Sequence, residues 1–170
     1  MIFLSASSRP NGHTHKITEF LATQFEAPLI DLSAKDISYY DYKHANEHDD
    51  FLGIAQQMTA HEVIVLATPV YWYTMSAQMK TFLDRWSDLL TIRKDLGRAL
   101  KGKKLILLSC GSRSGEIEGF DLPFRETAQY MDMEYLGHFP TWLEEGEDLV
   151  QESIQNRLNL LANSIKERIN

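Results

Sequence analysis

The sequence has 170 residues, of which 44% are apolar, so the chain can bury one substantial core and we expect a single domain over residues 1–170. An excess of 24 acidic over 17 basic residues gives a net charge of −7, which disfavours nucleic acid as a partner. The single cysteine excludes an internal disulfide and favours a cytoplasmic protein, and no apolar run approaches the about 20 residues that span a membrane.

Strands and helices alternate along the predicted chain. Apolar runs predict strands at residues 1–5, 29–32, 63–67, 105–109 and 134–139. Apolar positions three and four apart predict a first helix that carries Ile17, Phe20, Leu21 and Phe25. They also predict helices at residues 51–58, 76–90 and 121–131, and a closing helix to residue 169. Residues 38–50 are polar, aromatic and irregular, and we interpret them as a loop. This alternation predicts a parallel sheet with helices on both faces.

The first strand leads into a loop with the character of an anion site. Residues 5–14 read SASSRPNGHT and combine several hydroxyls with the guanidinium of Arg9, the imidazole of His13 and the small Gly12. The N-terminus of the following helix offers unpaired N–H groups and the positive end of its dipole, which suits a phosphate. The alternative is an ordinary capped helix with an exposed arginine.

Two further loops are expected at the same edge of the sheet, where doubly wound folds bind ligands. Residues 68–74, TPVYWYT, place three aromatic side chains directly after a buried strand, and a planar ligand can stack on them. Residues 110–115, CGSRSG, offer backbone N–H donors. Core packing or a subunit interface is the alternative for the aromatics. Together the three loops favour a mononucleotide with a flat heterocyclic base.

The first loop, and the second loop together with the start of the helix that follows it, resemble motifs of the NADPH-dependent FMN reductases and related flavodoxin-like oxidoreductases. Residues 6–14, ASSRPNGHT, are similar to the family's G-S-x-R-x-N-G-N-T loop. Residues 68–71 and 76–85 resemble its T-P-V-Y and S-x-x-L-K-x-F-x-D-R patterns. The resemblance, which extends to about residue 139, implies a flavodoxin-like three-layer α/β sandwich, a five-stranded sheet in the order 2-1-3-4-5, FMN as cofactor and NAD(P)H as co-substrate.

The resemblance also implies which residues bind FMN. The phosphate is expected beside Ser7, Arg9, His13 and Thr14; the isoalloxazine ring along Pro69, Val70, Tyr71, Trp72 and Tyr73; and the far ring edge at Gly111 and Ser112. The chemistry belongs to the flavin, so no separate catalytic residue and no metal are expected. Ala6 and His13 depart from the family, which usually has glycine and asparagine there.

The resulting hypothesis is a ping-pong oxidoreductase. NAD(P)H would reduce the flavin beside Trp72 and Tyr73, and a quinone-like or other small acceptor would then take the electrons. The aromatic side chains expected at the surface favour a homodimer, which the resemblance also implies, because related flavin reductases are commonly dimers. These side chains are Tyr39, Tyr40, Tyr42 and Trp72. A flavodoxin-type electron carrier and a flavin-binding regulatory protein remain the alternatives. Arg113 and Arg125 are the candidates for a contact with the 2′-phosphate of NADPH, and the preference between NADH and NADPH stays open.

Four other patterns are weaker candidates. Residues 97–103 match the glycine and lysine spacing of a phosphate loop but precede a strand, and we interpret them as a basic turn. Cys110 is expected to be a small buried thiol rather than a nucleophile. His44 and His48 lie in the solvated loop and are not expected to hold a metal. For Asp84 and Arg85, an ion pair on the helix surface or an interface contact is favoured over catalysis.

Overall fold

The computed structural model of the chain describes residues 1–112, 114–144 and 146–170. Its five strands form one parallel sheet: β1 Ile2–Ser5, β2 Leu29–Asp31, β3 Val63–Pro69, β4 Lys104–Gly111 and β5 Glu134–Trp142. The strand order is β2-β1-β3-β4-β5. The predicted fold class and strand order are therefore confirmed.

The helices cover both faces of the sheet. They are α1 His13–Gln24, α2 Phe51–Thr59, α3 Ala77–Asp84, α4 Asp88–Thr91, α5 Lys94–Ala99, α6 Leu122–Tyr130 and α7 Glu152–Ile169. Helices α1 and α7 share one buried cluster with the sheet, whereas α2 to α6 contribute to the cluster on the opposite face. No helix in the described parts of the chain is both long enough and apolar enough to cross a membrane.

The two central strands determine where the loops meet. All seven residues of β3 are buried, as the unbroken apolar run at residues 63–67 predicts for a strand covered on both faces. Ser5 at the end of β1 is in register with Ala67, and Pro69 at the end of β3 is in register with Cys110. The carboxyl ends of β1, β3 and β4 therefore lie side by side, and their loops leave the sheet at one edge.

The predicted helix over residues 76–90 is wrong in its middle. It is interrupted by a 3₁₀ turn at Arg85–Ser87, which separates α3 from α4. Side chains three residues apart eclipse one another in a 3₁₀ turn, so Arg85 and Asp88 point the same way, with Nε 2.8 Å from Oδ2. The break directs both charged groups into the interior.

The segment that resembles a phosphate loop begins inside helix α5. Gly97 is buried, and a Cβ there would lie 2.2 Å from the carbonyl oxygen of Leu89. The glycine is therefore needed for close packing of α5 against α4. This helix was missing from the sequence prediction, and strands β4 and β5 are longer than predicted.

Candidate functional site

Hydrogen bonds tie the three loops at the carboxyl edge to one another. The Ala6 amide donates to the carbonyl of Ala67, and the Val70 amide donates to the carbonyl of Cys110, both at 2.9 Å. The hydroxyl of Ser76, which caps helix α3, donates to the carbonyl of Ala6 at 2.7 Å. The loops that sequence reasoning placed at one edge thus form a connected unit.

A cavity of about 850 Å³ opens between these loops, and we call it the anion cavity. It is lined by Ser7, Ser8, Arg9, Pro10, Asn11, Gly12, His13, Lys16, Pro69, Val70, Tyr71, Cys110, Gly111 and Ser112. Three of the lining side chains, Arg9, His13 and Lys16, are basic, and no described lining residue is acidic. In a chain of net charge −7, this concentration of basic groups favours an anionic ligand.

The start of helix α1 adds backbone donors to the anion cavity. The helix begins at His13, and the residue before it, Gly12, has no side chain to cap the first N–H groups. Those groups have no acceptor within the helix and carry the positive end of its dipole. A Cβ on Gly12 would lie 3.0 Å from the Cβ of Arg9, so the loop is closed tightly around this glycine. The arrangement suits a phosphate.

A second opening of about 620 Å³ adjoins the anion cavity, and we call it the aromatic cleft. It is lined by Val70, Trp72, Tyr73, Ser112, Ser114, Gly115, Glu116 and Ile117. Val70 and Ser112 line both spaces, so the two are neighbours along the sheet edge. Exposed aromatic rings on one wall make the cleft suited to a flat ring system.

Glu116, which lines the cleft, contacts a histidine whose side chain is only 5% exposed and which sequence reasoning missed. The Nδ1 of His138 in β5 lies 3.4 Å from the carboxylate of Glu116, and its Nε2 lies 2.6 Å from the hydroxyl of Ser109. The imidazole stacks on Phe120, and its burial lowers the pKa of His138 despite the nearby carboxylate. Ser109 is itself buried, so this Ser–His–Glu chain anchors the cleft wall and cannot offer a nucleophile.

Arg85 contradicts the expectation of a surface or interface contact. Its side chain is completely buried and forms ion pairs with Asp49 and Asp88, two carboxylates that are also buried. The guanidinium also donates to the carbonyl of Ser38 at 3.1 Å. These bonds attach the loop before α2 to the start of α4. The neighbouring Asp84 does form the predicted surface pair, with Lys80.

The other candidate residues from the sequence do not form a second functional site in the described parts of the chain. Burial raises the pKa of the Cys110 thiol to about 11, and the prediction of a small buried thiol is confirmed. The Nδ1 of His44 lies 2.9 Å from the carboxylate of Asp88, which can only accept a hydrogen bond from it, and no group of metal-ligand residues occurs in the described chain. Arg125 pairs with Asp121 and Glu126 on helix α6. Arg113 lies outside the described residues.

Most of the predicted site residues come together in these two spaces. The anion cavity contains Ser7, Arg9, His13, Pro69, Val70, Tyr71, Gly111 and Ser112, and the aromatic cleft adds Trp72 and Tyr73. Thr14 is buried in the first turn of α1 and lines neither space. Sequence reasoning missed Lys16, although its position one helical turn after His13 places it on the same face.

Comparison with known proteins identifies a family and a curated relative to which this chain is similar. The model of the family described as NADPH-dependent FMN reductase matches residues 1–141. YwqN of Bacillus subtilis, whose name describes an NAD(P)H-dependent FMN-containing oxidoreductase, is 27% identical over 145 residues, covering 79% of this chain and 80% of that protein.

Solved structures share the fold. The Trp repressor binding protein from Bacillus subtilis superposes with a TM-score of 0.70 at 23% identity, over 95% of this chain and 97% of the other. An FMN-dependent NADH-azoreductase from Bacillus anthracis, solved in complex with FMN, gives a TM-score of 0.67 at 10% identity, over 99% and 98% of the two chains.

Proposed function

Because the chain belongs to the NADPH-dependent FMN reductase family and is an NAD(P)H-dependent, FMN-containing oxidoreductase, we propose that its FMN phosphate lies in the anion cavity. The isoalloxazine ring then extends toward the aromatic cleft. The observation that carries this proposal is a single cavity in which three basic side chains meet an uncapped helix N-terminus. The aromatic cleft lies next to this cavity and shares Val70 and Ser112 with it, which supports placing a phosphate and a flat ring of one ligand there.

Each predicted residue has a defined part in holding the cofactor. Ser7, Arg9 and His13 surround the phosphate with their side chains, and Thr14 contributes the N–H at the second position of α1, because its side chain is buried. Pro69, Val70, Tyr71, Trp72 and Tyr73 lie along the ring, and the backbone at Gly111 and Ser112 donates to its far edge. Lys16 adds a second cation at the phosphate.

FMN, when bound, supplies the hydride chemistry between a nicotinamide and an acceptor. The protein's own contribution is to bind and orient. In each turnover NAD(P)H loses a hydride, and a quinone-like acceptor gains two electrons and two protons, one of them from solvent. Both substrates are flat at their reacting ends and we place both in the aromatic cleft, so they must occupy it in turn. A ping-pong cycle follows from this shared space.

The test of the proposed function is an anaerobic titration of the FMN-loaded protein with NADPH and with NADH. Loss of the visible flavin absorbance band with either nucleotide is expected. Bound flavin that stays oxidised with both would instead favour an electron carrier or a regulatory protein. Steady-state kinetics with a quinone should give parallel double-reciprocal lines, and intersecting lines would contradict the shared cleft.

We also infer a cytoplasmic homodimer. Tyr39, Tyr42 and Trp72 are 80%, 87% and 92% exposed, and a second copy of the chain can cover such exposed aromatic side chains. A single buried thiol suits a reducing compartment. Light scattering at micromolar concentration tests the assembly, and a monomeric mass would overturn it.

A further inference from the structure

Another opening lies at the opposite edge of the sheet from the anion cavity. It is a groove of about 350 Å³ among helices α4, α5 and α6, and we call it the basic groove. Lys101 and Asp132, which line it, come just before β4 and β5, whose first residues, Lys104 and Glu134, are in register. The basic groove therefore lies at the amino ends of these strands, and it shares no described lining residue with the anion cavity or the aromatic cleft.

Contacts within the chain hold the walls of the basic groove. Gly97 of α5 packs so closely on α4 that a Cβ there would lie 2.2 Å from the carbonyl oxygen of Leu89. The Gly102 amide donates to the carbonyl of Asp132 at 2.8 Å, and the Nζ of Lys101 lies 3.0 Å from the carboxylate of Asp132. These contacts join α5 to α4 on one side and to the end of α6 on the other.

The segment that resembles a phosphate loop, residues 97–103, lines this groove in part, but its backbone is not arranged to hold a phosphate. The amides of residues 100–103 all donate to carbonyl oxygens of the chain. A phosphate loop instead points such amides at its ligand. The groups that this segment offers to a ligand are therefore its side chains.

Two side chains of the basic groove are cations without a carboxylate partner. Lys94 and Arg98 are exposed and lie four residues apart on α5, so they share one face of the helix. Neither takes part in an ion pair of the described chain, whereas Lys101 is paired with Asp132. In a chain of net charge −7, two such cations beside one groove attract an anion, and the guanidinium fork suits a carboxylate.

The lining beside these cations is mainly aliphatic. Leu89 and Met131 contribute buried side chains, and Leu90 is 41% exposed. Apolar surface exposed in a groove with a polar rim is typical of a binding site. Methionine adapts to a flexible ligand, because its unbranched side chain changes conformation readily. A volume of about 350 Å³ falls within the range of small-molecule sites, which favours a small ligand over a protein segment.

We propose that the basic groove is a second binding site, which takes an anionic amphiphile with an aliphatic tail, namely a free medium-chain fatty acid. Its carboxylate pairs with Lys94 and Arg98. Its tail covers the aliphatic lining and removes the exposed part of Leu90 from water. The inference does not depend on the proposed function, because the basic groove is separate from the spaces assigned to FMN and its substrates.

Calorimetry of the FMN-loaded protein with sodium decanoate, below its micellar concentration, tests the site. The affinity should rise about two- to fourfold for each CH₂ added between hexanoate and decanoate, because the added groups are buried. Arg98→Glu places a like charge beside the carboxylate and should weaken decanoate binding at least about tenfold. Lys94→Glu should act in the same direction.

Arg168→Glu is the matched control. Arg168 is also an exposed arginine in the last turn of a helix, but that helix, α7, packs on the other face of the sheet. The substitution makes the same change in net charge and should leave decanoate affinity as in the wild type. FMN affinity should be the same with and without saturating decanoate.

Absence of saturable decanoate binding by the wild type, or equal losses in Arg98→Glu and Arg168→Glu, would overturn the proposal. Competition between decanoate and FMN would overturn it too and would place the fatty acid in the anion cavity. If Arg98→Glu changed only the oligomeric state and left decanoate affinity unchanged, the basic groove would be a subunit contact and not a fatty-acid site.

Discussion

Arg9 and Arg85 carry the same charge and differ in every other respect. Arg85 is completely buried, ion-paired with Asp49 and Asp88, and lies over the ring of Phe51 at 4.8 Å. Arg9 is exposed on a loop and lines a cavity with His13 and no described carboxylate. One guanidinium has its anionic partners within the chain. The other is held open beside a space large enough for a ligand.

The difference separates two uses of charge. Buried charges are tolerated only when they are paired and hydrogen-bonded. Arg85, Asp49 and Asp88, which we call the Arg85 cluster, must therefore all be present for the fold to keep its stability. A basic group that the fold leaves beside a cavity costs little stability, and its interaction energy is available to an external anion. Arg85 should therefore affect unfolding, and Arg9 should affect binding.

Arg85→Met should have the largest effect. The substitution leaves the carboxylates of Asp49 and Asp88 buried without their cation, which destabilises a fold by about 3–5 kcal/mol. Urea unfolding of the FMN-free protein measures this. Asp84→Asn is the control, because it removes an exposed pair with Lys80 that contributes at most about 1 kcal/mol. Equal losses in the two variants would contradict the structural role of Arg85.

Arg9→Ala should weaken FMN binding about 10- to 100-fold, since a hydrogen bond to a charged group contributes about 1.5–3 kcal/mol. The free energy of unfolding without FMN should change by less than about 0.5 kcal/mol. Fluorescence titration measures the affinity. Arg98→Ala, on the exposed surface of α5, should leave it unchanged. If Arg9→Ala lowered the free energy of unfolding but left FMN affinity unchanged, Arg9 would have the structural role that we assign to Arg85.

The turn after β3 extends the comparison from charge to backbone. Trp72 and Tyr73 have positive φ angles of 49° and 67°, which strain bulky residues, so replacing them with Asn and Gly should stabilise the FMN-free protein by about 1–2 kcal/mol. The midpoint of urea unfolding should rise with an unchanged slope. A lower midpoint would show that the two rings stabilise the fold.

The pH dependence of the free energy of unfolding reports on Asp49, one of the two carboxylates that pair with Arg85. Burial alone would raise the pKa of Asp49, but hydrogen bonds from Arg85 and from the amides of Ser38 and Phe51 outweigh it and lower the pKa below 3.8. The unfolded state therefore binds this proton more readily. The contribution of Asp49 is complete above the unfolded pKa and is lost as the pH falls through the lower folded pKa.

At neutral pH the free energy of unfolding of Asp49→Asn should therefore be lower than that of the wild type. Below about pH 4 it should fall less steeply with decreasing pH than that of the wild type. The two slopes should differ by no more than about 1.4 kcal/mol per pH unit, the limit for one proton. Urea unfolding at a series of pH values gives both slopes. Parallel curves for the variant and the wild type would show that Asp49 has the same pKa in both states.

The fold and most of the site could be predicted because their signals are local. The unbroken apolar run of β3 and the loop around Arg9 are each readable within about ten residues. The Arg85 cluster was misjudged because its partner Asp49 lies 36 residues away in an irregular loop. His138 and Glu116 were missed for the same reason, since they are 22 residues apart and only the folded chain brings them within 3.4 Å of each other.

The most direct test of the central claim is a comparison of FMN with riboflavin, which lacks only the phosphate. If the anion cavity binds the phosphate through Arg9 and the N-terminus of α1, the wild type should bind FMN at least about 100-fold more tightly than riboflavin, a difference of about 2.7 kcal/mol. Equal affinities for the two flavins would show that the cavity does not hold the phosphate and would contradict the account.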